Sequence, residues 1–145
     1  MKPAMTAQPV GVGPAISRIE TLLAGRERVF VAIDGPCASG KTTLAQTLNR
    51  RFGGNVLHMD DFFLRPEQRT SERLAEPGGN VDRERFESEV LGPLCAGHAV
   101  RYRPWDCHAG GFSDPHAVEP ARVTIVEGSY SMHPALRGYY DCMIC

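Results

Sequence analysis

Residues 35–42 read Gly-Pro-Cys-Ala-Ser-Gly-Lys-Thr, which satisfies G-x-x-x-x-G-K-[ST] at every position. Each residue type has a physical task in holding a nucleoside triphosphate. Gly35 and Gly40 permit backbone angles and a closeness of approach that a Cβ would block. The loop N–H groups turn inward on phosphate oxygens, helped by the positive end of the helix that follows. Lys41 sets a point charge against the β- and γ-phosphates, and Thr42 offers its hydroxyl to Mg²⁺. The nucleotide-binding set is therefore Gly35, Pro36, Cys37, Ala38, Ser39, Gly40, Lys41, Thr42 and Thr43. The competing reading is a glycine-rich turn with an incidental lysine.

Phosphoryl transfer asks for little covalent help. It needs a metal, positive charge on the phosphates, and a group that orients or deprotonates the acceptor. Asp60 is the candidate for that last role because it directly follows a short strand near the loop; the bland alternative is that Asp60 and Asp61 form a turn. Glu127 ends a hydrophobic strand, from which it can join Thr42 on Mg²⁺, directly or through water. An ordinary polar strand end is its alternative. Asp82 precedes a helix, where an N-cap alone explains an aspartate.

The elements that must position these groups are legible from pattern. Residues 28–34, Arg-Val-Phe-Val-Ala-Ile-Asp, form a short apolar, β-branched run suited to a buried parallel strand. Helical spacing of Leu44, Ala45 and Leu48 follows the loop over 42–51, and Gly53-Gly54 stops it. Upstream, Ile16, Ile19, Leu22 and Leu23 give 15–24 one apolar face. A second strand is expected at 55–59, a loop at 64–80, a helix from Asp82 to about Cys95 with Phe86, Val90, Leu91 and Leu94 buried, and a short strand at 99–102. Residues 104–120 read as irregular. Strands return at 122–126 and 139–145. Alternating strands and helices imply an α/β layer with a mostly parallel sheet. Ligands bind beyond the carboxyl ends of such strands. Asp34, Asp60-Asp61 and Glu127 all fall at those ends and are expected to aim at one crevice beside Lys41.

The chain's 145 residues suit one domain, and its formal net charge of −1 gives no bulk argument for nucleic acid or an anionic membrane. No apolar run approaches a membrane span, and residues 1–13 lack an apolar signal core. The expectation is a cytoplasmic protein with a flexible tail at 1–13 and a core at 14–145. Five cysteines, an odd count, argue for free thiols. Cys142-x-x-Cys145 lacks a second pair, and Cys107-His108 with His116 completes no tetrahedral metal set.

Taken in order, Gly35–Thr42, Asp60-Asp61-Phe62-Phe63, Asn80-Val81-Asp82 with Phe86, Tyr102 to Asp106, and Val126-Glu127-Gly128 resemble the uridine kinase/phosphoribulokinase group of P-loop kinases. The resemblance spans roughly residues 28–145. It implies a P-loop NTPase three-layer α/β sandwich. It makes Asp60 the base near the acceptor hydroxyl, Lys41 a catalytic cation, Thr42 and Glu127 the magnesium side, and Asp82 a contact to substrate hydroxyls. Tyr102 and Trp105 would line the acceptor pocket; their bland reading is packing under a loop. Arg101, Arg103 and Arg137 read as solvated surface arginines that can also meet anionic groups. Phe63 stands where uridine kinases usually carry Tyr, and Trp105-Asp106-Cys107-His108 follows the group only loosely. The group continues into an arginine-rich lid, so the chain is expected to be incomplete at its C-terminal side.

The resulting expectation is an ATP- and Mg²⁺-dependent kinase that phosphorylates a hydroxyl of a small molecule, a nucleoside such as uridine first. Pantothenate or a sugar as acceptor, or a nucleotide-binding module without turnover, are the alternatives. No nucleic-acid or membrane partner is expected, and homo-oligomerisation is left open. A GTPase switch is disfavoured by the lack of an Asn-Lys-x-Asp segment.

Overall fold

The computed structural model describes residues 12–35 and 40–145. Its frame is a four-stranded, all-parallel sheet. Helix α1 (Val12–Gly25) leads into β1 (Val29–Ile33), and α2 (Lys41–Phe52) into β2 (Asn55–His58). After a short helix α3 (Ser71–Ala75) comes a helical run, α4, over 83–95. Strands β3 (Val100–Tyr102), β4 (Trp105–Asp106), β5 (Gly111–Phe112) and β6 (His116–Val118) precede the two remaining sheet strands, β7 (Val123–Glu127) and β8 (Cys142–Ile144). The sheet order is β2-β7-β1-β8, so β7 lies between β1 and β2.

Why these runs become central strands follows from burial on both faces. Every residue of β1 and β7 is buried. Side chains alternate across a strand, so Val29, Val31 and Ile33 pack with Val123 and Ile125 against Ile19 of α1 and Leu44 and Leu48 of α2. Phe30, Ala32 and Val126 face the other way, onto Phe86, Val90, Leu91 and Leu94 of α4. Helices thus cover both faces of one sheet, the three-layer arrangement expected. Each fully buried Leu, Ile or Phe contributes about 1.5–3 kcal/mol.

The helical run 83–95 departs from a plain α-helix. Glu87–Leu91 is a π turn, closed by the Gly92 N–H on the Glu87 carbonyl. Pro93 explains it: proline lacks an N–H, and in an α-helix its ring would strike the carbonyl four residues back.

Two stretches are more ordered than their sequences suggest. Residues 64–80 contain a 3₁₀ turn at Pro66–Gln68 as well as α3. Arg73 pins the segment, donating from Nε to the Gly79 carbonyl (3.0 Å) and from Nη2 to the Val81 carbonyl (2.8 Å). Both terminal nitrogens also reach the Glu84 carboxylate, at 2.6 and 2.7 Å. That guanidinium holds the Glu84 carboxyl down to about 2. Residues 104–120, read as irregular, form two small antiparallel pairs, β3 with β6 and β4 with β5. Strands of two or three residues carry too little alternation to be seen in sequence. Helix α1 begins at Val12, three residues before the expected start. Residues 1–11 of the expected tail lie outside the described residues. No described helix is long and apolar enough to cross a membrane.

Candidate active site

The carboxyl ends of β1, β2 and β7 meet the start of α2. Gly40 is the N-cap of α2, with φ 87° and ψ 10°, a left-handed conformation that glycine adopts without strain. Among the described residues no side chain caps this helix, and its first turn carries no acidic residue. Its leading amides and positive dipole end are therefore available to an anion. Pro36, Cys37, Ala38 and Ser39 lie outside the described residues. Thr43 is exposed, and its carbonyl accepts a hydrogen bond from Thr47 Oγ1 at 2.9 Å.

Glu127, 5% exposed, is the centre of this cluster. Thr42 Oγ1 donates to its Oε1 at 3.3 Å, and His58 Nδ1 lies 2.5 Å from its Oε2. The His58 contact is the main cause of a Glu127 carboxyl below the ordinary carboxylate range; the Lys41 charge acts in the same direction. The same hydrogen bond is the main cause that raises His58 above the usual histidine value, over the opposing effect of burial. Glu127 is thus held as a carboxylate. Register explains the pairing, because His58 and Glu127 are direct neighbours in β2 and β7. Gly128 is required next: a Cβ there would lie 2.8 Å from the Cβ of Met59.

An alcohol and a carboxylate side by side are hard oxygen donors of the kind Mg²⁺ takes, one or two from protein and the rest from phosphate and water. The donor set fits that ion. Among the described residues no group of three or more His, Cys, Asp or Glu forms a metal cage, at Cys107, His108 and His116 or elsewhere.

Asp34 does not join the crevice as a free carboxylate. Its Oδ1 accepts from the Gly35 N–H (2.7 Å) and the Tyr130 N–H (3.1 Å), and its Oδ2 from the Met132 N–H (3.0 Å). Strand-end position placed it correctly, but its carboxylate organises the turn at 129–132. That turn holds Tyr130 at φ 63°, the one positive-φ residue other than glycine among those described. Ser129 Oγ adds a bond to the Gly35 carbonyl at 3.1 Å, tying this turn to the first residue of the phosphate loop.

Asp60 and Asp61 lie in a 3₁₀ turn, Met59–Phe62, directly after β2. Asp60 is exposed and its carboxylate takes no hydrogen bond among the described residues. Asp61 is partly buried, and burial is the main cause that pushes its carboxyl above the ordinary range, with His58, His116 and Arg85 opposing. Tyr102, 5% exposed, packs its ring 5.2 Å from Phe62 and 5.5 Å from His116. Burial pushes its hydroxyl up to about 12, and Asp61 is the nearby carboxylate that adds to the effect. Trp105 stacks edge-on against Phe112, centroids 5.1 Å apart. Two backbone bonds, Leu64 N–H to the Asn80 carbonyl (2.9 Å) and Asp82 N–H to the Phe62 carbonyl (2.6 Å), tie the acidic turn to the Asp82 segment.

Asp82 is 4% exposed. Its Oδ1 caps α4 by accepting from the Arg85 N–H at 3.1 Å, and its Oδ2 accepts from Gln68 Nε2 at 3.0 Å. Both oxygens therefore have partners inside the fold. Arg137, exposed, donates from Nε to the Met132 carbonyl at 2.7 Å. His58 was missed from sequence. The available signal was its place at the end of β2, level with the end of the long strand that carries Glu127.

No family model matches the chain. In sequence it is similar to a uridine kinase of Clostridium perfringens, 29% identical over 126 residues, covering 80% of this chain and 60% of the relative. The uridine kinase of a second strain of that species matches equally. The chain spans about 60% of the length of the curated relatives it matches. In fold it is similar to the structure of a possible uridine kinase from Bacillus stearothermophilus, with a TM-score of 0.66, 24% identity, 90% of this chain covered and 79% of that one. A D-glycerate 3-kinase from Cryptococcus neoformans var. grubii superposes with a TM-score of 0.59 at 21% identity, over 84% of this chain and 53% of that one. These likenesses support the grouping that the order of motifs indicated, a uridine kinase-like P-loop kinase group.

Proposed function

We propose that this chain forms the core of an ATP-dependent kinase that transfers the γ-phosphate to a hydroxyl of a small molecule. The observation that carries the reading is the Thr42–Glu127 contact beside the uncapped start of α2. It puts a magnesium-competent oxygen pair at the end of a phosphate-binding motif. Lys41 would neutralise phosphate charge, and Thr42 with Glu127 would hold Mg²⁺, which when bound supplies charge neutralisation of the phosphates. His58 fixes the Glu127 carboxylate through Oε2, leaving Oε1 to the threonine side.

Across the crevice, Asp60 would accept the proton of the acceptor hydroxyl. Its exposed carboxylate has no competing hydrogen bond among the described residues, whereas Asp61 is half-buried against Tyr102. Tyr102 and Trp105 would border the acceptor, and Asp82 would act by holding α4 and, if displaced from Gln68, on substrate hydroxyls. The names of the sequence relatives make a nucleoside such as uridine the first acceptor to test. The test is ADP formation from Mg-ATP across uridine, pantothenate and sugars. Nucleotide binding without acceptor-dependent ADP would favour a binding module without turnover.

A further inference from the structure

Beside the acidic turn lies a cavity of about 420 Å³ whose wall carries four arginines, Arg65, Arg85, Arg101 and Arg103, with Tyr102 and Phe112. Three of the guanidiniums gather over one ring: Arg65, Arg85 and Arg103 lie 5.8, 5.3 and 5.6 Å from the centroid of Phe112. Their hydrogen bonds go mostly to uncharged acceptors. Arg103 donates to the Ser113 and Phe112 carbonyls (2.8 and 3.2 Å), and Arg85 to the Arg103 and Asp61 carbonyls (3.1 and 3.4 Å). Arg65 donates from Nε to the Gln68 side-chain oxygen at 3.2 Å.

Carboxylates are few. Glu89 meets Arg85 at 3.3 Å, Glu67 meets Arg65 at 3.7 Å, and Asp82 lies 3.9 Å from Arg85. Glu89 alone of these lines the cavity. Four like charges around a space of ligand size repel one another, and guanidinium forks match carboxylate and phosphate geometry. Backbone carbonyls hold Arg85 and Arg103 in place, and the Gln68 side chain holds Arg65, so the orientation of these three is set before a ligand arrives.

We infer that this cavity binds the anionic group, a carboxylate or a phosphate, of a small hydroxylated acceptor. The inference rests on the kinase reading for the word acceptor, and it narrows the substrate class from any alcohol to an anionic one. Tyr102 lies between the cavity and Asp61, and Arg85 reaches the Asp61 carbonyl. An anion seated on the arginines therefore places a neighbouring hydroxyl toward the Asp60–Asp61 turn. An uncharged nucleoside brings no charge to meet these arginines.

Trp105, the single tryptophan, sits 5.1 Å from Phe112 and reports on the cavity. The experiment titrates the full chain, without nucleotide, with D-glycerate, glycerol 3-phosphate and glycerol, following tryptophan emission. We expect saturable change with at least one of the two anions and none with glycerol. Arg101 is exposed and bonds to no described neighbour, so Arg101→Glu should weaken the anion by roughly tenfold or more, as expected for a charge-assisted contact. Arg101→Ala should weaken it less, and Lys41→Ala not at all. A response to glycerate alone assigns a carboxylate, and to the phosphate ester alone a phosphate. Equal response to glycerol, no response to either anion, or loss in Lys41→Ala with retention in Arg101→Glu would overturn the inference, the last by placing the anion at the phosphate loop. Mg-ATP binding measured separately tests the kinase reading, so anion binding without ATP binding sinks that reading and spares the cavity.

Discussion

The two walls of the crevice are built by different means. On the nucleotide side, β1 and β7 are long, parallel and buried on both faces, and the groups at their ends are acidic. Asp34 is consumed by three backbone N–H groups, and Glu127 is shared between Thr42 and His58. On the acceptor side, residues 60–82 and 100–118 fold into short turns and paired strands of two or three residues, and the dominant charge is arginine. There, side chains do what strand ladders do on the other wall: Arg73, Arg85 and Arg103 each donate to backbone carbonyls. The lesson is about roles. In the proposed reading, the rigid wall would hold the part of the reaction common to phosphoryl donors, its carboxylates serving amides and metal, and the arginine-tied wall would set which acceptor enters.

The sharpest break between the walls is expected from Asp60→Asn. It keeps the shape of an exposed side chain and removes the carboxylate proposed as proton acceptor. Acceptor-dependent ADP formation should fall by about 10²–10⁴-fold while Mg-ATP affinity stays within about twofold. Turnover near wild type would move the base to Asp61.

Asp34→Ala attacks the opposite wall through the fold rather than the chemistry. Three N–H groups, two of them partly buried, lose their acceptor, at a cost of about 2–4 kcal/mol. A fall in Tm of roughly 5–15 °C is expected. An unchanged Tm would mean that water satisfies the turn at 129–132 and that it contributes little to the nucleotide wall.

Lys41→Ala should act on the nucleotide wall alone. Removing its charge should weaken Mg-ATP by about 1–3 kcal/mol in a calorimetric titration. The Trp105 response to anions should stay. Unchanged ATP affinity would undo the phosphate-loop assignment and with it the division between the walls.

Sequence and structure agree best where burial is two-sided. The apolar runs at 29–33 and 123–127, the helical stripe of Leu44, Ala45 and Leu48, and the meeting of Thr42 with Glu127 all follow from period and strand ends. The strand-end rule gives position and not hydrogen-bond partners, so it brought Asp34 to the crevice without showing that amides occupy it. His58 stayed hidden because a parallel register cannot be read before the strand order is known. The arginine wall was illegible for a different reason. Arg101 and Arg103 look like solvated surface, and only the β3–β6 and β4–β5 pairs bring them to Arg65 and Arg85.

The smallest effect expected is also the one that tests how the acceptor wall is tied. Arg73 lowers the Glu84 carboxyl from 4.5 to about 2 and holds 79–84 through the same guanidinium. A carboxyl lowered on folding contributes stability that is present above its unfolded value, here 4.5, and is lost as pH falls toward 2. Glu84 is more than half exposed, so solvent screening limits the pair to roughly 0.5–1 kcal/mol. Between pH 5 and pH 3 the protection factors of the Gly79 and Val81 amides, corrected for the intrinsic pH dependence of exchange, should therefore fall, while those of β1 and β7 hold. Arg73→Lys supplies charge without the fork and should show faster exchange already at pH 6, because the bonds to the Gly79 and Val81 carbonyls need guanidinium geometry. Acid exchange that loosens both walls together, or an Arg73→Lys chain that matches wild type at pH 6, would show that 64–84 is held by its packing on Phe62 and Phe86, and that the arginine ties are a consequence of that packing.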